Sequence, residues 1–274
     1  MRNPVSRYES GTNSISDRPG ISENVYFQAL KKVPEVTIFF WIIKLLTTAM
    51  GETTSDFMVT HIDPVIAVAI GGVGFVAALI LQFAVRRYIP WVYWLAAAMV
   101  AVFGTMAADV LHIVFHVPYL VSASFFLVAL IAIFAVWYMI EKTLSIHSIY
   151  TRRRELFYWA AVITTFALGT ATGDMTASTM HLGYFASGVL FAVLISLPAL
   201  AYFLLGMNEI LAFWIAYILT RPLGASFADW LGKPRDFSGF GLGTGWVSLV
   251  LAVLIVGFVA YVTVTRKDVD KAQP

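Results

Sequence analysis

The stretch FWIIKLLTTAMGETTSD, Phe40 to Asp56, decides how this chain folds, because its skeleton returns three more times. Trp41, Gly51 and Asp56 recur as Trp94, Gly104 and Asp109, as Trp159, Gly169 and Asp174, and as Trp214, Gly224 and Asp229. In every copy Gly follows Trp by ten residues, Asp follows Gly by five, and an aromatic (Phe40, Tyr93, Tyr158, Phe213) precedes the Trp. A fixed period of this kind marks a repeat protein, here with four copies of one supersecondary unit.

The surrounding sequence says what the unit is. With 59% hydrophobic and 12% charged residues over 274 positions, the chain is too apolar for an ordinary water-soluble domain. Eight apolar runs, approximately 36–60, 64–85, 91–114, 118–140, 155–178, 184–205, 207–230 and 240–264, each reach the ~20 residues that cross a hydrocarbon core of ~30 Å as a helix. The runs are continuous and lack the alternation of a spanning strand, which rules against a barrel. Each repeat is therefore two spans, over about 36–85, 91–140, 155–205 and 207–264. An even number of spans per unit makes all four odd helices run the same way, as parallel repeats about an axis along the membrane normal. The expected fold is an all-α integral membrane protein, with eight transmembrane helices as four parallel two-helix repeats in a pseudo-fourfold or paired-halves arrangement.

The domain expected is a single membrane unit over 31–274, preceded at 1–30 by a polar tail without the apolar core of a signal peptide, read as disordered and cytoplasmic. Lys and Arg gather at Arg86 and Arg87, at Lys142 with Arg152 to Arg154, and at Arg266, Lys267 and Lys271. Their bias places both termini in the cytoplasm, with Lys233 and Arg235 breaking the pattern in the seventh connection. Cysteine is absent, so disulfides and thiolate metal sites are excluded.

Charges inside apolar runs are functional candidates by default, because each costs several kcal/mol unless paired or hydrated. In the first span Lys44, Thr48, Glu52 and Asp56 recur every four residues and share one face. The skeleton Asp, fifteen residues after its Trp, sits roughly 22 Å further along the helix, so the four aspartates reach similar depth. Arg221, in TRPLGASFADWLGKP, occupies the position of Thr48 and reads either as a clamp on an acid of another unit or as a built-in countercharge. Lys44 likewise reads as a neutraliser of Glu52 or as part of a working site. Asp109 with His112 and His116, and Asp174 with His181, offer carboxylate and imidazole on one face, donors that suit divalent ions. Asp63, His116, His181 and Asp236 each follow a skeleton Asp by seven residues, and the alternative reading makes them helix-end caps. The skeleton glycines permit close helix approach or a hinge, with packing favoured. Even helices carry few polar groups and small residues near one end, which casts them as outer scaffold around a polar axis.

Lys32 to Asp56 and Thr220 to Pro234 carry a resemblance that covers nearly the whole membrane part. The chain resembles the bacterial multi-pass proteins built from four tandem two-helix repeats, each marked by a Trp, and grouped as uncharacterised membrane-anchored proteins. That resemblance implies fold and a bacterial inner-membrane location and supplies no activity. The function expected from the residues is a cation permease, with a divalent metal as substrate and proton coupling as an added feature. Glu52, Asp56, Asp109, Asp174 and Asp229 would bind the ion, His112, His116, His181 and Asp63 would add metal ligands, and Lys44 and Arg221 would stand in for the cation. The expected partners are the lipid bilayer, a small cation and, in a homo-oligomer, further copies of the chain; nucleic acid is not expected. The alternative is a non-transporting scaffold or sensor with a static buried polar network. An enzyme ranks last, since no nucleophile or HExxH pattern accompanies the His and Asp residues.

Overall fold

The computed structural model describes residues 31–269, so the tail expected over 1–30 lies outside the described residues. Among these the chain forms eight long helices and no strand: α1 (Ile38–His61), α2 (Pro64–Ala84), α3 (Pro90–Asp109), α4 (Tyr119–Glu141), α5 (Arg152–Asp174), α6 (Gly183–Leu205), α7 (Glu209–Gly232) and α8 (Thr244–Thr265). A π-helical turn continues α3 over Val110–Val114 and another continues α5 over Met175–Thr179. Starts follow local chemistry: Asp63 accepts from Val65 N at 3.0 Å ahead of Pro64, and Asn208 accepts from Ile210 N at 3.0 Å, satisfying first-turn N–H groups.

Seven helices are long and apolar enough to cross a membrane. The exception, α1, is 24 residues long but carries Lys44, Glu52 and Asp56, and its surroundings explain how it tolerates them. α1 packs against α3, α3 against α5, α5 against α7, and α7 against α1, so the four odd helices close a ring. Outside it each even helix lies on the odd helix of the following unit: α2 on α3, α4 on α5, α6 on α7, and α8 back on α1. Windows of the even helices are 17–22% buried and those of α3, α5 and α7 50–61%, so the even helices face lipid and the ring holds the polar groups. The pseudo-fourfold arrangement, with even helices as the outer layer, is the one adopted.

Side chains repeat the same cyclic step. The aromatic before each Trp meets the Trp of the next unit: Phe40 and Trp94 at 5.7 Å between centroids, Tyr93 and Trp159 at 5.6 Å, Tyr158 and Trp214 at 6.2 Å, Phe213 and Trp41 at 5.7 Å. Each skeleton Gly likewise lies against the next odd helix, at the residue seven after that helix's Trp. A Cβ on Gly51 would strike Ala101, one on Gly104 Phe166, one on Gly169 Arg221, and one on Gly224 Thr48. Close approach is therefore what these glycines supply, as small residues do in membrane bundles that lack a hydrophobic drive for helix association.

One end of the ring, the terminal end, is tied by the described segments just before α1 and just after α8. Lys32 N donates to Ile149 O at 3.0 Å, Tyr88 N to Lys31 O at 2.8 Å and Glu35 N to Asp268 O at 3.0 Å. Buried Lys32 pairs with Glu155, which also accepts from Gln82 Nε2 at 3.0 Å. This terminal end also holds His147, 3.0 Å from Glu35. Burial pushes the Glu35 carboxyl up, but hydrogen bonds from His147 and Lys31 outweigh it and hold the group down at about 2. His147 in turn is raised by its hydrogen bond to Glu35, against the effect of burial.

Candidate cation site on the ring axis

Equivalent positions on the odd helices build layers along the axis. Nearest the terminal end, Phe40, Tyr93, Tyr158 and Phe213 are all buried, and the hydroxyls of Tyr93 and Tyr158 hydrogen-bond each other. Tyr217, one turn further in, joins Phe40 and Phe213 at 6.3 and 5.5 Å. These rings block the axis at that end.

Lys44 comes next. Its ammonium sits 4.0 Å from the centroid of Phe166 and 4.2 Å from that of Tyr217, buried and with no hydrogen-bond partner among the described residues. It forms no ion pair with Glu52 and lies against two ring faces instead.

Arg221 forms that pair. Nη2 donates to Glu52 Oε2 at 2.6 Å, to Thr170 Oγ1 at 3.0 Å and to Thr105 Oγ1, and Nη1 donates to Thr48 O at 3.4 Å. Glu52, Thr105 and Thr170 each stand eleven residues after their unit's Trp, and the fourth equivalent is Ala225 on Arg221's own helix. One guanidinium thus reaches across the axis and engages the same layer of the three other odd helices. A buried charge with this many acceptors satisfies the requirement that an ion in low dielectric be paired and hydrogen-bonded.

Beyond Arg221 lie the carboxylates. Glu52, Asp56 and Asp229 each offer an oxygen within 4.8 Å of the others. Lys233 Nζ stands 3.1 Å from Asp229 Oδ2 and 3.5 Å from Asp56 Oδ2, and donates to Tyr184 Oη at 3.3 Å. Burial works against the Lys233 charge, but Asp229, Asp56 and Glu52 outweigh it and raise its pKa well above the ordinary lysine value. Asp229 Oδ1 and Ser55 Oγ are buried here with no hydrogen-bond partner among the described residues. A cavity of about 1070 Å³, lined by Asp56, His61, Tyr184, Lys233, Trp246 and Ser248 among others, opens beside Asp56 at the end opposite the termini.

A family model described as Repeat of Unknown Function (DUF347) matches residues 39–88, 92–143, 157–207 and 212–268. The chain belongs to this family. The four matched DUF347 repeats coincide with the four two-helix units, so the axial layers are layers of equivalent repeat positions. No curated protein and no solved structure matches the chain.

Across the four DUF347 repeats the expected site residues separate into two groups. Glu52, Asp56, Asp229 and Arg221 come together. Asp109 and Asp174 are half-buried, within electrostatic reach of each other and of Glu52 and Asp56, but do not join the three-oxygen cluster. Each directly precedes a π turn, whereas α1 and α7 stay α-helical through their Asp. His112, His116, His181 and Asp63 do not converge on a metal-capable group among the described residues. His112 Nδ1 lies 2.9 Å from Val117 O, exposed His116 and His181 have φ of +53° and +56° where the π turns end, and exposed Asp63 caps α2. Seven residues past the Asp is about 10 Å further along a helix, which carries these positions to helix ends, and helix ends take polar caps.

Lys233 was not among the expected site residues. Its positive charge, which breaks the loop pattern, is an internal countercharge four residues after Asp229, the spacing at which helical neighbours pair.

Proposed function

We propose that this protein is a cation permease in which Glu52, Asp56 and Asp229 take a hard cation, a divalent metal ion foremost, while Arg221 and Lys233 hold the empty site. The observation that carries the reading is the convergence of these three carboxylates within 4.8 Å beside the axis of a closed ring, next to a cleft that reaches Asp56. A cluster made of oxygen donors favours hard ions such as Mg²⁺, Ca²⁺ or Mn²⁺ over softer metals. Lys233 hangs at the mouth of the site on a flexible stem, so its ammonium can swing away as an ion enters. The aromatic layer and the strap of residues 31–37 keep the terminal end shut, which supports access from one side at a time. The basic residues Arg86, Arg87, Arg152, Arg153 and Lys267 lie at or just beyond helix ends on the terminal side, and by the positive-inside rule that side is cytoplasmic in a bacterial plasma membrane.

The reach of Arg221 to all three other odd helices favours a second reading, a scaffold or sensor whose polar network is static. Cation flux into proteoliposomes separates the two. The permease shows uptake of Mn²⁺ or Ca²⁺ that Asp56→Asn with Asp229→Asn abolishes. Uptake that survives both that pair and Asp109→Asn with Asp174→Asn overturns it, and no flux at all, with no cation-induced rise in Tm, selects the scaffold.

A further inference from the structure

The fourfold packing fails at one corner, and the failure leaves a cavity of about 620 Å³ at the terminal end, between α1, α6, α7 and the α4–α5 connection. Trp94, Trp159 and Trp214 are 2%, 2% and 4% exposed, whereas Trp41 is half-buried and lines the cavity. At the corner of Trp214, α4 fills the space with Phe134 at 4.8 Å and Trp137 at 5.9 Å. The helix equivalent to α4 at the Trp41 corner is α6. Forty residues after the unit's Trp, where unit two has Phe134, unit three has Ala199; three residues later Trp137 is replaced by Tyr202. Loss of the Phe134 ring opens the wall, and both Ala199 and Tyr202 line the cavity.

The chemistry of the lining is graded. Leu45, Ile195, Ala199, Phe213 and Ala216 make an apolar depth on the lipid side of the bundle. At the mouth stand Glu209, whose side chain is 70% exposed, and His147, 3.7 Å from Glu209 and 3.0 Å from Glu35. Trp41, Tyr202, Phe203 and Phe213 add aromatic faces, and no Lys or Arg is among the residues lining this cavity. Glu209 is the one carboxylate among the lining residues, and once His147 is uncharged its oxygens and the ring faces attract a cation, while a volume within roughly 300–1,000 Å³ suits one small molecule.

We propose that this corner binds an amphiphile through an ammonium head and one hydrocarbon tail, the head at Glu209 and the aromatic rim, the tail along Ala199 towards Leu45. The site is separate from the axial carboxylates, with the Phe213 and Tyr217 rings between them. The ammonium can come from an aminophospholipid of the bilayer or from a free long-chain amine.

The test uses the full chain in phosphatidylcholine nanodiscs and 11-bromoundecylammonium, whose bromine quenches indole fluorescence, with 11-bromoundecanol as the neutral control. Quenching that is lost in Trp41→Phe reports this corner. The expected result is saturable quenching by the ammonium probe at a concentration at least about tenfold below the alcohol, a preference worth some 1.4 kcal/mol. Glu209→Gln removes most of that preference, and Ala199→Phe removes the Trp41 quenching. Equal quenching by amine and alcohol, or a preference unchanged in Glu209→Gln, overturns the proposal; the Glu209 comparison decides alone should Ala199→Phe fail to fold. Adding phosphatidylethanolamine to the nanodiscs distinguishes the sources: competition with the probe assigns the site to a bilayer aminolipid, and no competition assigns it to a free amine.

Discussion

Arg221 of α7 donates to the Glu52 carboxylate of α1 at 2.6 Å, and both side chains are buried. The pair ties the last odd helix to the first and so closes the ring, while Thr105 and Thr170 bring in the two helices between. Breaking one partner of a buried pair strands a charge and costs about 3–5 kcal/mol, whereas replacing both by apolar groups is close to neutral. Glu52→Gln and Arg221→Met should each lower stability strongly in detergent, and Glu52→Met with Arg221→Met together should recover more than half of the loss. Equilibrium unfolding of the three variants checks this.

The skeleton glycines should not be equally sensitive. A Cβ on Gly51 would lie 2.7 Å from the Ala101 carbonyl carbon, so backbone must move, whereas one on Gly104 would lie 3.2 Å from Phe166 Cβ. Overpacking costs about 1–3 kcal/mol, and Ala gains back about 1 kcal/mol in helix propensity over Gly. Gly51→Ala is therefore expected to destabilise clearly and Gly104→Ala to be close to neutral, as read by thermal unfolding.

The latch between Glu35 and His147 gives a pH dependence of defined sign. Glu35 is ionised above about 2, and the raised His147 pKa means that its share of stability is complete below the unfolded imidazole range and lost as pH rises through the folded value. The Tm difference between wild type and His147→Gln should be largest at mildly acidic pH, below the ordinary imidazole range, and fade as pH rises through the raised folded value. Both side chains are partly exposed, so the difference should be small and shrink in salt.

Removal of Lys233 strips Asp56 and Asp229 of their tethered cation. Lys233→Met should melt below wild type in chelator and gain more Tm than wild type when Mn²⁺ or Ca²⁺ is added, because a ligand stabilises by how well it binds the folded state. Differential scanning fluorimetry with a cation series measures it.

Much of this was legible in the sequence, and the exceptions have physical causes. The eight helices and their four two-helix units follow from apolar length and from a Trp/Gly/Asp period that needs no knowledge of packing, whereas closure into a ring is decided by the packing between units. Glu52, Asp56 and Arg221 stand out because charge is costly within apolar runs. That Asp56 and Asp229 join Glu52 in one cluster while Asp109 and Asp174 stay outside it was hidden, since the π turns after Asp109 and Asp174 leave no mark on residue spacing. Lys233 reads in the sequence as a loop charge that breaks the pattern, not as a site residue, because it lies just beyond its apolar run, although its spacing from Asp229 is visible. The histidines misled because a repeat of seven past each Asp matches the position of a helix end as well as that of a shared face.

Equilibrium binding of Mn²⁺ to the full chain in nanodiscs, followed by electron paramagnetic resonance, tests the central claim most directly. The wild-type protein is expected to bind Mn²⁺ saturably, and Asp56→Asn with Asp229→Asn to abolish that binding while the fold is retained. A wild-type protein that binds no Mn²⁺, or binding left intact in the double variant, would contradict it.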